Sequence, residues 1–597
     1  MTALRRALPR ILRTLVPALL LAAALANTSA QASINVELEG VEGPERENVL
    51  AYLSLARYAP LDDLSPDVVD RIFNRAEAEV WDALRPFGYY NAKVIGTLTP
   101  DGRNWIAHLT VTPGLPVMIS AAQVTLAGPG AGESFLTELV EAKPLQPGHR
   151  LDHATYESLK GELQRRATAN GYLDAHFTQS EMLVDPAKLS ATITLTLETG
   201  ARYRFGDVTI DQDVVNPSVV KRLVRFRQGD WYDAAALLRT QFALDDSAYF
   251  RVVQVLPGDR DSATLTVPVR IDARRGHRNR YTIGVGYDTD FGPRLRFAWN
   301  NRYVNTAGHR LRFGANLAKN NQQISATYVV PIGDPAREKA QLDLTTSNLQ
   351  LADARVRSAA LRPSLTHVLG RWQRVLFTDL LRTQSTAGGV TSNATIVVPG
   401  ISLSPVPPSF TGDGTTASTG TGFFAELIGS GAALGSSATF LRVHVRDDWR
   451  FKIAPLWSVL ARVELGASLV RRFEEFPVQY RFFAGGDRSV RGFSFNSLSP
   501  LDVIPATATT PVQLLRTGGK YLEVASLELE RDLPHHFAAA VFTDVGNAFN
   551  RFGDPLEYST GIGVRYKLPF VSVGLDVAKP LSRGGSPRLH LNIAPIF

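Results

Sequence analysis

The chain is 597 residues long, 44% hydrophobic and 20% charged, and it contains no cysteine. That length leaves room for several domains with cores of their own, and the hydrophobic fraction excludes a disordered chain. Without thiols there is no disulfide framework, no thiolate metal site and no cysteine nucleophile. The formal charge is +7, of which Arg5, Arg6, Arg10 and Arg13 supply four near the start. The remaining excess is too small to argue for nucleic acid.

Those four arginines form a basic n-region, Leu15 to Ala26 is an apolar run, and Ala30-Gln31-Ala32 has the small-x-small pattern of a cleavage site. The pattern predicts a secretory signal peptide over residues 1–32. Its apolar run is shorter than the roughly 20 residues of a membrane-spanning helix. No later stretch reaches ~18 consecutive apolar residues.

Residues 33–275 mix helical and strand periods in a repeating order. Ser65-Pro66-Asp67 opens a helix with Pro at its first position, and Val69, Ile72, Phe73, Ala76, Val80 and Leu84 follow at helical spacing. It ends at Gly88 and is followed by two strands. Asp152 caps a second helix carrying Tyr156, Leu159 and Leu163, which ends at Gly171, again before two strands. A third copy has a helix near Asp233–Leu244 and puts Ala248 where the others have Gly. Recurrence at intervals of about 80 residues predicts three tandem β-α-α-β-β repeats, over residues 33–114, 115–200 and 201–275.

From Arg274-Arg275-Gly276 onward, strict alternation replaces the helical period. Tyr281, Ile283, Val285 and Tyr287 face one way, while Thr282, Gly284, Gly286 and Asp288 face the other. Similar dyads recur at Leu311–Leu317, Trp457–Leu469, Ile562–Leu568 and Leu589–Phe597. Dyad repeats split by turns predict a transmembrane antiparallel β-barrel over residues 276–597, with about 16 strands at roughly 20 residues per strand and turn.

Two places inside the barrel stand out. Arg481 to Phe493 reads RFFAGGDRSVRGF. Gly485, Gly486 and Gly492 predict tight, positive-φ backbone, and Arg491 supplies a forked cation. A loop folded back into the lumen would anchor Arg491 on inward acids. Parity selects Asp544, opposite Val541 and Val545, and Glu528 between Leu527 and Leu529. The other place is the closure of the barrel. Gly284 and Gly286 weaken the first strand, and Pro595 removes a donor from the last, so a join between them would be poorly zipped.

Enzyme signatures are missing: there is no Gly-x-Ser-x-Gly elbow, no His-Glu-x-x-His and no P-loop. His535 and His536 are adjacent, so on a strand they would point apart, and none of the 11 histidines stands at ligand spacing with carboxylates. Neither a cofactor, a metal site nor catalysis is expected.

The RFFAGGDRSVRGF segment, Phe542–Phe549 (FTDVGNAF), the Ser526-Leu527-Glu528-Leu529 strand and the terminal Phe597 resemble the outer-membrane insertase superfamily. The repeats look like its POTRA domains. Three of them before such a barrel resemble the outer-membrane subunit of the translocation and assembly module. The resemblance implies insertion or translocation of outer-membrane β-proteins, autotransporters included, from a periplasm-facing array of POTRA domains. It implies that Arg491 anchors a lumenal loop shaped by Gly485, Gly486, Asp487, Gly492 and Phe493, with Asp544 and Glu528 as acidic partners. It implies a lateral gate of Tyr281–Tyr287 against Arg588–Phe597, marked by Tyr281, Gly284, Gly286, Pro595 and Phe597. The implied partners are unfolded outer-membrane protein substrates, the lipid bilayer and a large inner-membrane-anchored, periplasm-spanning protein of the TamB type, met through the first repeat. The alternative is a two-partner secretion transporter exporting one exoprotein through the lumen.

Overall fold

A computed structural model describes residues 34–595 except 60–63, 103, 388–389, 407–421, 505–511 and 569–570. The predicted signal peptide and Phe597 therefore lie outside the described residues. Among the described residues no helix is long and apolar enough to cross a membrane.

The chain forms two compact units. The first holds two repeats. In one, β1 (Ile34–Glu39), β2 (Lys93–Asp101) and β3 (Asn104–Thr112) form a sheet ordered β1-β3-β2, with β1 parallel and β2 antiparallel to β3. Alternation on β3 turns Ala107, Leu109 and Val111 onto the helices, against Val69, Val80 and Leu84. The helix expected from Ser65 to Leu84 is two, Pro66–Phe73 and Ala76–Leu84. The break falls at Asn74-Arg75, where Asn is a weak helix former and the acidic first turn of the next helix, Glu77 and Glu79, suits a fresh N-terminus. The next repeat has β4 (Met118–Ala127), β5 (His176–Asp185) and β6 (Ser190–Glu198) in the same arrangement, β4-β6-β5. Its helix His153–Ala169 is capped by Asp152, whose side chain accepts from the Ala154 N–H at 3.0 Å.

The second unit holds the body of the third repeat and the barrel. β7 (Arg204–Asp211), β8 (Phe250–Pro257) and β9 (Thr266–Arg275) are ordered β7-β9-β8 beside the helix Ala234–Asp246. The helix-end positions of all three repeats are left-handed, with φ +86° at Gly88, +95° at Gly171 and +60° at Ala248. Ala248 thus keeps the shape of the repeat without the residue that adopts it freely, at a cost of roughly 1–2 kcal/mol. It precedes buried Tyr249, whose hydroxyl donates to the Gly308 carbonyl at 2.8 Å in a barrel turn.

The barrel strands are β10 (Asn279–Asp288), β11 (Gly292–Asn301), β12 (Arg310–Ala318), β13 (Asn321–Pro331), β14 (Glu338–Leu351), β15 (Ala354–Leu369), β16 (Trp372–Ala387) and β17 (Val390–Pro405). They continue as β18 (Phe424–Ser430), β19 (Phe440–Ala454) and β20 (Trp457–Val470). After the hairpin β21 (Leu501–Ile504) and β22 (Gln513–Arg516) come β23 (Tyr521–Asp532), β24 (Phe537–Phe549), β25 (Glu557–Lys567), β26 (Val571–Pro580) and β27 (Arg588–Pro595). Sixteen of these strands close into one barrel, from which β21 and β22 stand apart. Tyr281, Ile283, Val285, Leu295, Leu527 and Val541 lie exposed on the outer face, as a lipid-facing band requires. Inside, Phe377, Leu381, Ile396, Val398, Phe440 and Phe476 gather in a buried apolar cluster. His535 and His536 do not lie on a strand. They form the turn between β23 and β24 with φ of +60° and +66°, because two residues joining paired strands must take that left-handed path.

Candidate functional site

After β20 the chain turns inward. Phe482 pairs with Gly519 and Ala484 with Leu498 as isolated bridges, so residues 481–500 fold as a compact loop. Gly485 and Gly486 sit at φ +99° and +106°, where a side chain is strained. Gly492 does not share that conformation, contrary to the expectation of a positive φ. Its role is close approach: a Cβ there would lie 2.5 Å from the Ser559 Cβ and 3.0 Å from the Pro580 backbone. Phe493 packs on a buried cluster of Phe482, Ala484, Val490, Leu522 and Val524.

Gly492's fit to the wall carries Arg491 into the interior, where its side chain is only 6% exposed. Nε and Nη2 grip Asp544 at 3.0 and 2.8 Å, Nη1 donates to Glu528 at 2.7 Å and Nη2 to Ser526 at 3.1 Å. The Arg491 backbone N–H also donates to Asp544 at 3.0 Å, and the guanidinium lies 3.3 Å from the Phe542 ring centroid. Arg565 bridges Glu528 and Asp576 behind it. Each charge in this network is paired, the condition under which burial is tolerable, and removing one partner costs about 3–5 kcal/mol.

The loop also holds the two strands that close the barrel. The Asp487 N–H donates to Asp290 Oδ2 at 2.9 Å in the β10–β11 turn, and Phe495 meets Phe291 edge-on at 4.7 Å. His590 of β27 bonds Asp487 through Nδ1 and the Arg491 carbonyl through Nε2, the latter at 2.6 Å. Burial, then the neighbouring Asp487, pushes the Asp290 carboxyl up to about 6. Sequence reasoning missed Asp290 and His590 entirely. Alternation with Leu589 and Leu591 would have turned His590 inward, but nothing in the spacing joins it to residues 290 and 487.

The closure itself is short. Among the described residues β10 and β27 pair only at Tyr287–Ile593 and Asp288–Asn592, supplemented by Thr289 Oγ1, which accepts from the Leu591 N–H at 2.7 Å. On its other side β10 pairs with β11 along its whole length, from Asn279–Asn301 to Asp288–Gly292. Gly286 lets the β27 backbone pass, since a Cβ there would lie 2.9 Å from the Ile593 carbonyl oxygen. Gly284 stands opposite Arg296 of β11 and Tyr281 is exposed on the outer face. Pro595 pairs with Val571 of β26, not with β10.

Comparison with known proteins follows the same division. Residues 408–592 match the Omp85 superfamily domain, 35–113 match the POTRA domain described as TamA domain 1, and 203–273 match a POTRA family described as surface antigen variable number repeat. A curated relative, outer membrane protein assembly factor BamA of Nitratidesulfovibrio vulgaris, is 25% identical over 160 residues, which is 27% of this chain and 20% of that one. The chain thus spans about a fifth of that relative's length. BamA from Haemophilus ducreyi lacking POTRA domains 1-3 superimposes with a TM-score of 0.63 at 14% identity, covering 80% of this chain and 100% of that one. CdiB from Acinetobacter baumannii aligns with a TM-score of 0.45 at 12% identity, covering 81% of this chain and 90% of that one.

Proposed function

We propose that this chain, whose segments match POTRA domains and the Omp85 superfamily domain, inserts or translocates other outer-membrane β-proteins through the join between β10 and β27. The observation that carries this reading is the two-pair closure. Along Asn279–Gly286 the β10 edge has no ladder partner on the β27 side among the described residues. Backbone groups left unpaired in hydrocarbon each cost several kcal/mol. An incoming strand would satisfy them by augmentation, its main chain supplying the hydrogen bonds and its apolar face passing into lipid. Burial of that face is the driving force, and no nucleotide motif is needed.

The finer assignment is a translocation-and-assembly-module subunit with autotransporters among its substrates. The match of residues 35–113 to the first TamA POTRA domain supports it. On that reading the first repeat docks a TamB-type, inner-membrane-anchored partner. Export of one exoprotein through the lumen is disfavoured, because the Arg491 loop and the Phe377–Phe476 cluster pack the interior.

The test is a disulfide across the join. The chain has no native thiols, and Tyr287 and Ile593 are register partners. With Tyr287→Cys and Ile593→Cys reconstituted in liposomes, oxidation should abolish assembly of an added unfolded barrel protein, and reduction should restore it. Equal activity in both states would sink the proposal. In cells, depletion should lower several barrel proteins, whereas a dedicated transporter would lower one.

A further inference from the structure

Where the closure is laddered, three segments far apart in sequence converge: Asp290 in the β10–β11 turn, Asp487 in the inward loop and His590 on the last strand. Their ligand atoms all lie within 4.8 Å of one another. The hydrogen bonds fix the tautomer. A carbonyl oxygen only accepts, so His590 Nε2 must carry a hydrogen to bond the Arg491 carbonyl at 2.6 Å. A neutral His590 then presents a lone pair on Nδ1, and what faces it is the Asp487 carboxylate. Two acceptors would confront each other unless a positive species, a proton on Nδ1 or a cation held by both groups, joins them.

A proton would satisfy Nδ1 and one Asp487 oxygen. It would leave Asp487 Oδ2, a buried atom with no hydrogen-bond partner, beside an Asp290 carboxylate whose Oδ2 accepts from the Asp487 backbone N–H. A divalent cation serves all three groups. One imidazole and two carboxylates suit an ion of the zinc class, and an Nε2–H donated to a backbone carbonyl is the usual outer-shell support of a ligating histidine. A cavity of about 320 Å³ opens beside the cluster, lined by Asp290, Phe291, Asp487 and Arg488, so a water could take the fourth position of a tetrahedral ion. Arg294 and Arg296 are the other cations on that wall, and Arg294 lies 3.4 Å from Asp288.

We propose that Asp290, Asp487 and His590 bind one divalent transition-metal ion of the zinc class, which ties the first hairpin and the inward loop to the last strand. The site stands whether or not the join opens for substrates. It is tested on the full chain in detergent micelles, purified without a histidine tag and dialysed against Zn²⁺ alone. One ion should bind per chain, and Asp290→Asn and His590→Gln should each weaken binding at least ten-fold. Co²⁺ in place of Zn²⁺ should give visible absorption bands that both variants lose. Heat-modifiable gel mobility confirms that each variant holds a folded barrel. If His590→Gln does not close, Asp290→Asn still decides, since its amide oxygen keeps the bond from the Asp487 N–H. Absence of stoichiometric Zn²⁺, or equal binding by Asp290→Asn, overturns the proposal.

Discussion

The last strand has two edges, and they are built differently. Toward β26 it is laddered from Arg588 to Pro595. Toward β10 it is joined, among the described residues, at two residue pairs, a threonine bond and a side-chain cluster. The first edge is held by backbone, which pairs regardless of side-chain chemistry. The second is held by particular side chains, several of them on the inward loop. That loop is in turn gripped by β23, β24 and β25 on the far side of the last strand. The weak edge is therefore supported from within the barrel, and whatever loosens the loop should loosen the join and spare the β26–β27 ladder.

The largest expected effect comes from removing the anchor. Arg491→Ala leaves Asp544 as a buried carboxylate without its cation and Glu528 with Arg565 as its remaining partner, a loss of about 3–5 kcal/mol. The expected result is a lower denaturation midpoint and faster amide exchange in β27 than in β20. Exchange that rises equally in both strands would show that the loop does not single out the join.

Gly492→Ala should act next. Its Cβ would press on Ser559 and Pro580, and overpacking of this kind costs about 1–3 kcal/mol. A restored midpoint in the double variant with Ser559→Gly would tie the loss to that contact. The smallest change lies away from the join. Ala248→Gly relieves a left-handed alanine and should raise stability by about 1 kcal/mol, with exchange in β27 unchanged.

Much of this was legible because alternation has only two phases. Leu527 and Leu529 fix Glu528 as inward, and Val541 and Val545 do the same for Asp544, so the acids that meet Arg491 could be read without coordinates. The repeat was legible through Gly88 and Gly171, because a helix that must turn sharply into a strand needs a left-handed residue. The register of the closure was not. Parity says which face a side chain takes, not how far two strands slide, so Tyr287 opposite Ile593 had to be seen. The Asp290–Asp487–His590 cluster was hidden for a related reason: its members share no element and no spacing. The role of Gly492 was misread because glycine is needed for two distinct reasons, a reachable φ and a missing Cβ, and a sequence does not say which.

Thr289 and Leu591 are 302 residues apart. Bringing the ends of so long a loop together costs about 5 kcal/mol of chain entropy, and the bonds that repay it form only when almost the whole polypeptide is in place. Ring completion therefore needs almost the whole barrel sequence in hand. On the proposed function, the contact that parts for a substrate is also the one whose two sides lie farthest apart along the barrel sequence.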